Sequence, residues 1–189
     1  MRRTINRELF NYWNTLRGER AAPDRASVDP LAIRSILADT FIIEVDADGL
    51  FPLRVAGARV NALWLADLKG TSFLDLWRNE DRRSVHAALM SVVDGVAPLV
   101  GGARGCAPGD VEMEIEFLLL PLRHFGRTHS RVLGSLSPMR GAEAIGQMRV
   151  GSLEFLSMRM IDAPRVVAAA SRDASPPRPR LVVCNPEKS

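Results

Sequence analysis

Only two cysteines, Cys106 and Cys184, occur in the 189 residues. They are far apart and have no neighbouring His or Cys, which excludes a disulfide framework and a zinc site and leaves both as expected free thiols. Long hydrophobic runs are missing too: no stretch approaches the roughly 18–20 continuous apolar residues of a membrane-spanning helix. The start, MRRTINRELFNYW, has basic residues but no apolar h-region or small-residue cleavage site, so a secretory signal is not expected. The expected location is the cytoplasm, with no membrane partner. Lysine is nearly absent, limited to Lys69 and Lys188, so the pI near 9.4 rests on arginine. The net charge of +3 sits entirely in residues 163–189, which hold five basic and two acidic side chains; the remainder holds 20 of each. With no basic excess to build a phosphate-binding face, a nucleic-acid partner is not expected of the folded part. No P-loop, dinucleotide fingerprint or nucleophile elbow occurs.

What is present suits one folded domain with extensions: 47% hydrophobic and 25% charged residues. Leu9, Phe10, Trp13 and Leu16 recur at helical spacing between Asn6 and Arg17, with Gly18 as a stop. Asp29 and Pro30 open a second, short helix. From Phe41 the period becomes two. Phe41, Ile43 and Val45, then the turn residues Asp46 to Gly49, then Phe51, Leu53 and Val55 predict a β-hairpin. The stretch VAGARVNALWLADLKGTSFLDLW, Val55 to Trp77, has no single period and is broken by Gly57 and Gly70 into short helical pieces over Ala58 to Leu65 and Ser72 to Leu76. A longer helix is predicted from about Asn79, with Val85, Leu89, Val92 and Val93 on one face.

Three strands are then predicted. PLVGGARGC is weak. VEMEIEFLLL alternates clearly, with Val111, Met113, Ile115, Phe117 and Leu119 on a buried face and Glu112, Glu114 and Glu116 on a wet one. RVLGSLSPM is the third. The period of VGSLEFLSMRMI does not decide between strand and helix, and from Ala163 the Pro, Ser and Arg content predicts a flexible tail. The expected division is a helical extension over 1–40, an α+β domain over 41–162 and the tail over 163–189.

The order of these elements resembles a PAS domain. LRVAGARVNALW is similar to the second PAS strand and the helix that carries an Asn, here Asn61. DLKGTSFLDLW is similar to the family's Gly, small polar, aromatic and Leu pattern, and NEDR to its acidic–Arg entry to the next helix. The resemblance covers roughly Phe41 to Met139, and LFNYWNTLRG is similar to stand-alone bacterial PAS-like proteins. It implies a five-stranded antiparallel sheet with helices on one face, preceded by N-terminal helices, and a sensory or protein-interaction role in signal transduction.

The candidate pocket residues are Asn61, Trp64, Trp77, His86, Met90 and Phe117. Trp64 and Trp77 flank the irregular stretch and either line an apolar pocket or pack as ordinary core. His86 lies where some haem-binding PAS proteins place an iron ligand, but a lone helix His is more often a boundary residue, so haem is not the expectation. The Asn-Cys-Arg helix motif of flavin-binding relatives is absent, which argues against a flavin-cysteinyl adduct. His124 and His129, with Arg123, Arg127 and Arg131, are read as a solvated loop rather than a metal site. Leu9, Phe10, Trp13 and Leu16 either pack on their own sheet or pair two copies into a homodimer, the option the resemblance favours. The leading expectation is a non-catalytic bacterial regulator that senses a small molecule or docks a signalling protein such as a histidine kinase. The alternative is a small α+β enzyme with an apolar pocket, which would need an acid–base pair inside it. A third reading, nucleic-acid binding by the basic tail, would be salt-dependent and lost on truncation.

Overall fold

The computed structural model of the protein describes residues 1–45, 50–95, 97–107, 111–124 and 127–162. Among the described residues three helices, α1 (Thr4–Arg17), α2 (Ala58–Trp64) and α3 (Arg82–Gly95), accompany six strands. The strands are β1 (Thr40–Glu44), β2 (Leu53–Ala56), β3 (Leu99–Ala107), β4 (Val111–His124), β5 (Arg127–Pro138) and β6 (Glu154–Met160). They form one antiparallel sheet in the order β2-β1-β5-β4-β3-β6. The α+β class and the PAS-like plan hold, with six strands in place of the expected five. The sixth is the segment whose period does not decide. It is an edge strand, and its register slips against β3 between Gly102 and Ala103, so that Leu156 is skipped and the alternation is lost.

Two apolar layers form because both faces of the sheet are covered. On the inner face, α2, α3 and the 3₁₀ turn at Phe73–Leu76 bury Val60, Leu63, Phe73, Leu76, Val85, Leu89 and Val92 against Phe41, Ile43, Leu99, Ile115, Phe117 and Leu119. On the outer face, α1 and the 3₁₀ turns at Arg25–Ser27 and Pro30–Ile33 cover Ile42, Val100, Leu118, Leu120, Leu122 and Leu133. The expected hairpin is present, although Phe51 is not a strand residue. It stands in left-handed backbone at φ 51° with its ring fully buried. The predicted turn Asp46 to Gly49 lies outside the described residues.

The outer layer bears on two expectations. Leu9 and Trp13 are buried within the chain itself, at 0% and 1% exposure, and the Trp13 indole donates to Pro121 O at 2.8 Å. The stripe meets its own sheet, leaving Phe10 and Leu16 half-buried at its margin. The glutamate row of β4 is not uniformly wet either. Glu112 is exposed and Glu114 half-buried, whereas Glu116 lies beneath the first turn of α1. Its carboxylate accepts the backbone N–H groups of Arg2 (2.7 Å) and Arg3 (3.0 Å) and the Asn6 amide (2.9 Å). Asn6 in turn accepts from Ser135 Oγ at 2.8 Å. A helix start has N–H groups without intrahelical partners and carries partial positive charge, and a carboxylate from the sheet answers both.

Burial alone would raise the Glu116 pKa, but the donated hydrogen bonds from Arg2, Arg3 and Asn6 outweigh it and hold the carboxyl below the usual glutamate range. A pKa depressed in the folded state gives stability above the unfolded value of about 4.3, lost as pH falls through the folded one. Replacing Glu116→Gln is therefore expected to lower unfolding free energy by about 1–3 kcal/mol near neutrality. The gap between wild type and variant should close on acidification. Urea unfolding of both proteins at neutral pH and well below the glutamate range checks this; a gap that widens in acid contradicts it.

Candidate functional site

The inner face is where the sequence resemblance places a ligand pocket, and ring packing dominates it. β3 and β5 contribute glycines at the two positions directly opposite phenylalanines in the ladder: Gly101 faces Phe117 and Gly134 faces Phe41. Each ring lies across its glycine so closely that a Cβ at either position would overlap it. These flattened rings then stack onward. Phe41 meets Phe73 with centroids 5.3 Å apart, Phe73 meets Trp77 at 5.8 Å, and Trp77 meets Phe117 edge-on at 5.3 Å. Phe155 of β6 closes the row, 6.0 Å from Trp77 and 6.2 Å from Phe117. Edge-to-face contacts of this kind add to the burial of large apolar areas.

The predicted pocket residues separate within this frame. Trp77 and Phe117 are fully buried members of the ring row, and Met90 packs half-buried against the inner core. Trp64 is buried at the far end of α2, beside a cleft of about 370 Å³ bounded by Asp67, Asp75 and Arg149–Ser152. Asn61 is a turn-former: its Oδ1 accepts the backbone N–H of Leu68 at 3.2 Å after α2 ends at left-handed Leu65. His86 does not line the interior. Val85 and Leu89 occupy the inward face of α3, and the next position round the helix is exposed, so the imidazole rests edge-on against Phe51 at 5.3 Å. The second histidine cluster is also placed differently than expected. His124 and Arg127 are strand residues paired across β4 and β5 rather than loop residues, and the side chains of His124, Arg127 and His129 lie outside the described residues.

Trp77, Phe117 and Phe73 pack against one another at this place, and the described His86 and Cys106 side chains are both exposed. One polar atom in the row has no partner: Trp77 Nε1 is buried with no hydrogen-bond acceptor, a deficit of about 1–3 kcal/mol. Among the described residues, no group of three His, Cys, Asp or Glu is arranged to hold a metal ion, and no helix is long and apolar enough to cross a membrane.

The uncovered features lie outside the interior. Among the described residues β6 pairs only with β3, and Leu156 (43%), Met158 (47%) and Met160 (41%) on it are exposed. A trough of about 560 Å³ runs beside it past Met1, Glu114 and Met139, and a separate groove of about 570 Å³ lies at the opposite end of the sheet, beside β1 and β2. The apolar alternation of β4 is enough to find Phe117, and Trp77 is found as the tryptophan that closes the irregular stretch. The exposed row on β6 is hidden by its bulge.

Comparison with known proteins gives one family match: the model described as PAS domain matches residues 1–137. No curated protein matches the chain. Among solved structures, a Rhodobacter sphaeroides LOV protein is 13% identical with a TM-score of 0.45, the match covering 57% of this chain and 63% of that one. An RNA-binding light-oxygen-voltage receptor is 15% identical with a TM-score of 0.47, covering 65% of this chain and 35% of the receptor. The chain thus spans less than two thirds of either structure.

Truncating Trp77→Ala is expected to cost about 3–5 kcal/mol, because the ring row loses its centre. Trp77→Phe should cost clearly less, since it keeps a ring and removes the unpartnered N–H. His86→Ala should stay within about 0.5 kcal/mol. Thermal and urea unfolding of the three variants decide; a large loss from His86→Ala would show that the imidazole has a buried role.

Proposed function

We propose that this chain, which belongs to the PAS domain family, is a non-catalytic signalling module that works by docking a partner protein rather than by enclosing a large prosthetic group. The observation that carries the proposal is the contrast between its two apolar regions. The interior is occupied by interlocked Phe41, Phe73, Trp77, Phe117 and Phe155, while Leu156, Met158 and Met160 stand uncovered on an edge strand. An unpaired edge with flexible, polarisable methionines can accept an incoming strand or helix, and such apolar exposure is characteristic of interaction surfaces. The partner class we propose is a signalling protein such as a histidine kinase, with the chain acting in the cytoplasm.

The enzyme alternative has less to support it. The described carboxylate with a depressed pKa, Glu116, is used to fasten α1, and Asp75 at the cleft beside Trp64 is ion-paired with Arg82 at 3.0 Å. Homodimerisation through α1 is not part of the proposal, since Leu9 and Trp13 are already buried.

The test is binding of the full chain to histidine kinases from the same cell, measured by calorimetry for wild type and a Met158→Glu, Met160→Glu variant. The double variant is expected to keep its melting curve and to weaken partner binding at least about tenfold, since each charge would be buried at the interface. Partner binding that is unchanged in the variant would overturn the assignment of this edge.

A further inference from the structure

The groove beside β1 and β2 is lined mostly by apolar side chains. Its floor and walls are Val28, Ile33, Leu37, Ile42, Val55 and Leu133, drawn from the N-terminal turns and from the sheet. The charged side chains lining it are both cationic, Arg25 and Arg34. Neither guanidinium has a carboxylate partner among the described residues. The nearby acids are already engaged: Asp24 and Asp29 cap their 3₁₀ turns, Asp39 pairs with Arg59 at 2.6 Å, and Glu8 holds Ser35 at 2.6 Å. Arg25 Nε is also buried with no acceptor. The hydroxyl of Thr40, the remaining polar side chain of the wall, donates to Leu37 O at 2.9 Å.

An apolar channel with two unmatched cations beside it selects a ligand with a long apolar body and one anionic end. A sugar or nucleotide would bring polar groups that this wall cannot answer, and each would lose water without compensation. The volume of about 570 Å³ is in the range of small-molecule sites. We propose that this groove binds a free single-chain carboxylate amphiphile of the fatty-acid type, its chain along Ile33, Leu37, Ile42 and Leu133 and its head group at Arg25 and Arg34. The site joins the N-terminal turns to the β1–β2 hairpin, so an occupant would tie the extension to the sheet. The proposal goes beyond partner docking at β6 and involves different residues, so either can fail without the other.

Calorimetric titration of the full chain with dodecanoate, below its micelle concentration, tests it, with dodecanol and dodecyltrimethylammonium as comparators. Dodecanoate is expected to bind one to one and more tightly than either comparator. Val55→Glu, at a position already 48% exposed, should weaken dodecanoate at least about tenfold by placing a like charge at the groove. Arg25→Gln with Arg34→Gln should weaken dodecanoate roughly tenfold or more while leaving dodecanol unchanged. If the double variant is unstable, Arg34→Gln alone, at an exposed position, gives the same comparison. Absence of binding, equal binding by wild type and variants, preference for the cationic amphiphile, or a dodecanoate-independent dimer dissolved by Val55→Glu would each overturn the proposal.

Discussion

Glu116 and Phe117 are neighbours on β4, and their side chains serve opposite faces of the same sheet. The phenylalanine lies over Gly101 and meets Trp77, closing the inner layer. The glutamate receives the first turn of α1 and fixes the outer layer. Strand alternation makes these two roles inseparable: a one-residue slip of β4 would bury the carboxylate among aromatic rings and present Phe117 to a helix start. The register of this single strand therefore carries both the packing of the interior and the attachment of the N-terminal helix.

Much of this is legible in the order of the amino acids. The strict alternation from Val111 to Leu119 locates β4 and its inner face. The stripe on α1, the Asp29–Pro30 cap and the glycine-broken crossover between β2 and α3 stand where their local chemistry puts them. The outer layer is harder to see because its signal is a change of pattern. The run Phe117 to Leu122 abandons alternation, which marks burial on both faces, but three glutamates around its start suggest a wet surface. Glu116 is covered because a helix distant in sequence supplies its donors, and no local period records that. His86 is ambiguous for a related reason: one position on a helix is a rotation of about 100°, enough to move a side chain from core to solvent. β6 is hidden by its bulge, and its exposed methionines by the expectation that apolar means buried.

Functionally, the fold separates what is filled from what is open. Ring-over-glycine packing gives the inner face a close-packed floor, and close-packed cores yield to a new occupant only by rearranging. Among the described residues, exposed apolar side chains occur at both ends of the sheet, on the β6 edge at one and around the arginine-bordered groove beside β1 and β2 at the other. On the proposals made above, a PAS domain arranged this way would meet partners and small ligands at its margins. α1 and the N-terminal turns, held on the outer face, link those margins to the strand that organises the whole sheet.

The ring row fills the inner face with the chain's own side chains. Native mass spectrometry of the purified chain, before and after incubation with haem and with flavin mononucleotide, addresses it directly. The expected result is the mass of the polypeptide alone for the cofactor-treated protein, with no stoichiometric adduct and no induced absorption band. A one-to-one complex with either group that Trp77→Phe perturbs would contradict it, because the ring row would then be a movable wall of a cofactor site.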